Sequence, residues 1–242
     1  MNAFKTTKNM GIGALLITGF FMLVGWIVSS RLKGKFHKYS QVHLTKDLSG
    51  ADVARLMLAD NGIHDVDVTS VEGQLTDHYN PANKTVNLSN EVYNGRNAAS
   101  TAIAAHECGH AVQHAKAYSM LQLRSALVPI QNVSAKVINM VFLAMMFGAF
   151  AVKGLFSVNT ALLVVIVCYA VFALFALITL PVEFDASKRA LVWIEARGIV
   201  NRQEHDMAKD ALKWAAMTYV VAAIGAITML LYYVMIFMGR RD

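Results

Sequence analysis

Four apolar stretches of this 242-residue chain fix its structural class before any other feature is weighed. A bilayer core needs about 20 apolar residues in helical form, and residues 11–30, 159–182 and 215–238 each meet that length. Residues 137–152 fall short, so this span is expected to begin nearer Val128 and to carry Lys136 toward the interface. A mean hydropathy of +0.43 agrees: the chain belongs in a membrane. The first stretch has the basic start of a secretory signal, but residues 26–31 offer no small-x-small cleavage site, so it is read as a span. The expected fold is a mainly α membrane protein, four transmembrane helices with a small α+β domain.

The basic residues give the orientation. Near span ends, Lys and Arg number fourteen in residues 31–136 and 188–213, against five on the other side, Lys5, Lys8, Lys153, Arg240 and Arg241; Arg55, Lys84 and Arg96 lie too far from a span to count. The bias places the region between the first and second spans in the cytoplasm. It also explains the net charge of +6 as juxtamembrane, and it argues against a nucleic-acid partner, because the charges gather at span ends and form no aromatic-interleaved surface. The two cysteines, Cys108 and Cys168, sit in a polar helix and in a span, so a disulfide is not expected.

Between the first two spans lies a soluble α+β region. Ser49 is placed to cap a helix with Val53, Leu56, Met57 and Asp60 at helical spacing, which Asn61 and Gly62 stop. Residues 66–71 alternate as a strand, Gly73 marks a turn, and residues 84–88 read as a second strand after Asn80-Pro81. The strand holding Val86 is the candidate for receiving an extended substrate by strand addition. The division expected is 1–30, an N-terminal span; 31–127, the cytoplasmic α+β region; 128–182, a two-span hairpin; 183–213, cytoplasmic helices; and 214–242, the last span.

Within that region His106-Glu107-Cys108-Gly109-His110 spells HExxH on a helix led in by polar, cap-forming residues. Positions i and i+4 share a helix face, so the two imidazoles can hold one metal ion. The expected cofactor is Zn2+, whose hydrolytic sites take two histidines and a carboxylate and keep a position for water, with Glu107 as general base. Gly109 costs roughly 1 kcal/mol against Ala inside a helix, so something is expected to approach its backbone closely. Cys108 points about 100° from each neighbour and reads as packing.

Residues 74–81 are dense in polar and aromatic groups. His78 or Tyr79 could stabilise an oxyanion and Asp77 could orient a metal-bound histidine, or the segment is simply a hairpin loop turned by Asn80-Pro81. For a third ligand, a residue on the same side of the membrane must be an even number of spans away. Glu183 satisfies this, emerging beside Pro181 where a carboxylate is costly unless paired or metal-bound. Asp185 points elsewhere, Glu195 lies further along the helix, Glu204 completes a capping pattern with Asn201, and His114 would stand more than about 10 Å from His106 along a straight helix. His205 stays open.

These pieces together resemble a known family, the YugP-like membrane zinc metallopeptidases. The matching segments are Leu75-Thr76-Asp77-His78-Tyr79, the run from Ala104 through the HExxH to Ala111, Leu180-Pro181-Val182-Glu183-Phe184-Asp185-Ala186-Ser187, and Ala215-Ala216-Met217-Thr218-Tyr219, in order from about Ser49 to the last span. The resemblance implies His106, His110 and Glu183 as zinc ligands, Glu107 as catalytic base and a bacterial source. Related HtpX-like proteases often carry Asp four residues after the ligand Glu; here that residue is Ser187.

The resulting expectation is a multi-pass cell-membrane endopeptidase acting on membrane or membrane-proximal proteins, with the lipid bilayer and a protein or peptide substrate as its partners. One alternative is a non-proteolytic scaffold or quality-control adaptor with structural zinc. Another is an intramembrane protease, which the many charged residues of the metal helix and the missing aspartate-glycine motif disfavour. The charge bias predicts that membrane-impermeant thiol reagents reach N2C and D242C in intact cells but not N83C; labelling at N83C would invert the orientation.

Overall fold

The computed structural model describes residues 2–146 and 157–239. The elements in chain order are α1 (Asn2–Ser40), α2 (Gly50–Asp60), β1 (Asp67–Val71), β2 (His78–Asn80), β3 (Thr85–Ser89), α3 (Asn90–Asn94), α4 (Ala98–Ala115), α5 (Ser119–Met146), α6 (Val158–Ala196) and α7 (Arg202–Met238). Among the described residues four helices are long and apolar enough to cross a membrane: Gly11–Ser40, Ser119–Ala144, Val158–Ala196 and Arg202–Met238. The protein is a mainly α, multi-pass membrane protein with a small α+β region. The C-terminal end of the expected second span, residues 147–152, lies outside the described residues, as do Lys153, Arg240 and Arg241.

The helices run well past the apolar stretches that mark them. Hydropathy senses only the lipid-compatible part of a helix, whereas the helix ends where a cap or breaker stands. In α6 no glycine interrupts the chain until Gly198, which adopts φ +63° in the terminating turn. Pro181 lies inside the same helix and does not end it; freed backbone groups in such helices are re-satisfied by neighbours and hydroxyls. Likewise α5 begins at Ser119 rather than near Val128.

The chain divides into two compact units. One comprises Met1–Trp26, Leu123–Thr179 and Tyr219–Asp242. Leu162 and Val165 of α6 pack there on Met229 and Tyr233 of α7, with Ile17 of α1 and Val141 of α5 against them. Tyr169 and Tyr233 stack with centroids 5.3 Å apart. The outer faces carry Leu15, Leu16, Met22, Met140, Val167 and Met235, all strongly exposed. In water such surface would drive aggregation; in lipid it is the expected covering.

The other unit, Ile27–Gln122 with Leu180–Thr218, holds the polar region. Its three-stranded sheet has the order β1-β3-β2, β3 pairing parallel with β1 (Val68 opposite Val86) and antiparallel with β2 (Tyr79 opposite Val86). Since β3 is central and both its edges are used, it cannot take a substrate strand, and the expectation placed on Val86 is corrected. The edge strand β2 spans three residues, too few for a readable alternation, which is why its sequence resembles a loop. The turn after it is closed by Asn80 Oδ1 accepting from the Ala82 amide at 2.9 Å.

Helix starts are built as the sequence suggests. Ser49 and Asp52 form a reciprocal capping box on α2, and Asn97 Oδ1 accepts the Ser100 amide at 2.9 Å to begin α4. In the core, Val53 and Met57 of α2, Val86 and Leu88 of β3, and Ala102, Ala105 and Cys108 of α4 are buried together with Ile194 of α6 and Leu212 of α7. Two buried or half-buried polar ties fix the start of α7. Glu204 accepts from the Asn201 amide and from the amide and hydroxyl of Thr45, all at 2.7 Å, while Asp210 accepts from Tyr39 at 2.5 Å and pairs with Lys35 at 2.7 Å.

The close approach expected at Gly109 is the contact between α4 and α6. A Cβ built there would lie 2.6 Å from the Ala186 carbonyl oxygen and 3.1 Å from its Cα, both backbone atoms that cannot swing aside. Glycine lets the two helix backbones touch, and Ala186 is only three residues past Glu183.

Candidate metal centre

Where α4 and α6 meet, three side chains converge. His106 and His110 lie one turn apart on α4, their rings edge-on with centroids 4.8 Å apart. Across the Gly109 contact, Glu183 Oε2 stands 3.4 Å from His106 Nε2 and 3.6 Å from His110 Nε2. The three donor atoms all lie within 4.8 Å of one another, and among the described residues this is the group that could hold a metal ion. Zinc bonds of 2.0–2.1 Å at tetrahedral angles separate ligand atoms by roughly 3.3 Å. The two histidine–carboxylate spacings, 3.4 and 3.6 Å, match that separation.

Burial sharpens the argument. Glu183 is 2 % exposed, and a carboxylate that deep costs several kcal/mol unless cations face it. Burial alone would depress the His110 imidazole, but its hydrogen bond to Glu183 and the charges of Glu107 and Glu183 outweigh this and raise its pKa above the ordinary histidine value. The pocket thus attracts positive charge, whether a proton or a metal dication.

The other ring nitrogens are held by the protein. His106 Nδ1 lies 3.1 Å from the Ser187 hydroxyl, so the residue standing where related proteases carry Asp still reaches the ligand ring. His110 Nδ1 lies 3.0 Å from Gln113 Oε1. The Gln113 amide cannot be turned round, because its Nε2 donates to the Val182 carbonyl and to Asp185 Oδ2, both at 2.8 Å. Its oxygen must face His110, which must then donate from Nδ1 and present Nε2 to Glu183. Asp185 is itself fixed by Arg189, whose Nε donates to Oδ2 at 2.5 Å.

Glu107 is buried beside the histidines, and its Oε2 accepts the Tyr79 amide of β2 at 3.0 Å. The edge of the sheet therefore positions the Glu107 carboxylate. Asp77, expected to orient a histidine, instead accepts from the amide and hydroxyl of Ser89 at 2.7 and 3.1 Å, which locks the segment leading into β2. Burial raises the Asp77 pKa, and the Glu107 charge adds to this against the Ser89 hydrogen bonds.

His78 is not drawn into the cluster. Its side chain is exposed with Nδ1 donating to the Thr76 carbonyl at 2.7 Å, and alternation along β2 puts Tyr79, not His78, on the side of α4. The Tyr79 hydroxyl meets His114 Nδ1 at 2.8 Å. His205 is likewise elsewhere, 3.8 Å from Glu195, and Cys108 is buried with its thiol pKa pushed up by desolvation. Gln113 escaped the sequence reading; the only signal for it was its place three residues after His110, on the same helix face.

Fold and site together define a multi-pass membrane protein in which an HExxH helix and a second helix bring together two histidines and a carboxylate that could hold a metal ion. Residues 14–238 match the family model described as "Putative neutral zinc metallopeptidase", and the chain belongs to that family. It is 40% identical over 213 residues to the "Putative membrane protease YugP" of Bacillus subtilis (strain 168), covering 88% of this chain and 91% of that one. No solved structure matches it. The family and the donor set agree on zinc as the cofactor.

Gln113→Leu removes the acceptor of His110 Nδ1–H while keeping the volume. It is expected to weaken zinc affinity about 10–100-fold, measured by competition with a chelator. Unchanged affinity would show that the amide does not set the histidine.

Proposed function

We propose that this protein is a zinc-dependent endopeptidase that hydrolyses peptide bonds in membrane or membrane-proximal proteins, with its site on the cytoplasmic side. The observation that carries the reading is the buried meeting of His106, His110 and Glu183 beside the carboxylate of Glu107. His106 and His110 bind through Nε2 and Glu183 through its carboxylate. Among the described residues three protein donors meet rather than four, the pattern of catalytic zinc, since structural sites close their coordination with a fourth side chain.

When bound, zinc polarises the scissile carbonyl and lowers the pKa of water. Glu107 does the proton work. The Tyr79 amide engages Oε2, so Oε1 is the oxygen that takes a proton from the attacking water and delivers it to the leaving amine. Tyr79 thus fixes the direction of the base, and Asp77 fixes Tyr79 through Ser89. Gln113 keeps His110 in the tautomer that presents Nε2, and Ser187 holds the His106 ring by its Nδ1. The cytoplasmic placement is supported by the excess of Lys and Arg around the polar region.

Glu107→Gln retains the shape of the side chain and leaves the three donors intact. Zinc content should stay near one per chain while proteolysis of a casein-type substrate falls at least about 100-fold. Full activity in this variant would remove Glu107 from the mechanism.

A further inference from the structure

Beyond the residues of the metal centre, the same polar unit holds a groove between α6 and α7 with a cavity of about 470 Å³ that shares the Ser187 wall with it. Its floor is apolar, formed by Phe184, Leu191 and Val192 of α6 with Leu212 and Met217 of α7. Val192 is 57 % exposed and Phe184 46 %, although both lie beyond the apolar run of their helix, so the floor has no covering in this chain.

The rim is cationic. Lys188, Lys209 and Lys213 line the groove and are exposed, and none of them is ion-paired among the described residues. Of the nearby acids, Asp185 pairs with Arg189 and Asp210 with Lys35 and Tyr39; Glu195, 3.8 Å from His205, is the one acid of the lining, against three lysines. Three unpaired lysines around an uncovered apolar trough call for a ligand with one anionic end and one apolar end.

The position in the chain says where such a ligand comes from. The groove residues begin two positions after Val182, the end of one apolar run, and Lys213 stands two positions before Ala215, the start of the other. Such residues belong at headgroup level, where basic pockets between membrane helices take anionic lipid headgroups. The geometry points to a binding site for one anionic glycerophospholipid, its phosphate held by Lys188, Lys209 and Lys213 and its acyl chain laid along the apolar floor. Ser187, whose hydroxyl contacts His106, forms part of the same wall.

The test is lipid binding to the purified full-length zinc protein in neutral detergent, titrated with phosphatidylglycerol or phosphatidylcholine and followed by native mass spectrometry. Phosphatidylglycerol should bind well above phosphatidylcholine. Each single variant K188Q, K209Q and K213Q should weaken it about fivefold, and the triple variant on the order of 100-fold, with zinc content unchanged. The triple Lys→Arg variant should bind as wild type does, as should K46Q. Equal binding of the two lipids, or full affinity in the Gln variants, would overturn the assignment. Glycerol phosphate binding as tightly as the lipid, or an acidic peptide displacing it, would do the same.

Discussion

A buried carboxylate facing two imidazoles governs this structure. Glu183 is taken almost wholly out of water at a point where α6 touches α4, and an ionised carboxylate in that position is tolerable only if cationic or hydrogen-bonding partners surround it. The contact in turn requires a glycine, since any side chain at Gly109 would collide with the Ala186 backbone. The HExxH motif supplies two donors on one helix. The third depends on how closely a second helix can approach, and Gly109 sets that distance.

The surroundings divide the labour. Gln113, anchored by the Val182 carbonyl and Asp185, determines which nitrogen of His110 is presented; Ser187 serves His106. On the other side of the histidines, the sheet edge reaches Glu107 through the Tyr79 amide. The two histidines are thus steadied from α6 and Glu107 from β2. A change in the sheet should alter proton transfer while leaving metal binding intact, and a change in the Gln113 network should do the reverse.

Much of this was legible in the sequence because it rests on period and polarity. Four apolar runs mark the candidate spans, the i and i+4 histidines share one face of α4, and the parity of membrane crossings points to Glu183, whose Oε2 stands 3.4 Å from His106 Nε2. Gly109 announced a close contact by its cost in a helix. What stayed hidden depends on pairing between distant segments. A three-residue strand carries no period, so β2 looked like a loop and β3 like a free edge. His78 attracted attention by its chemistry, but the alternation of the strand gives the inner face to Tyr79. Asp77 and Asp185 looked like a ligand helper and a rejected ligand. Their roles, bracing Ser89 and Gln113, follow from partners 12 and 72 residues away.

The central claim is that Glu183 completes the metal site across the α4–α6 contact. It is tested most directly by zinc content after dialysis against a weak chelator, comparing wild type with Glu183→Ala and, as a control outside the cluster, His205→Ala. Wild type and His205→Ala should retain close to one zinc per chain, and Glu183→Ala should lose most of it, because two imidazoles alone hold the ion weakly. A folded Glu183→Ala protein that keeps zinc as firmly as wild type would contradict the account.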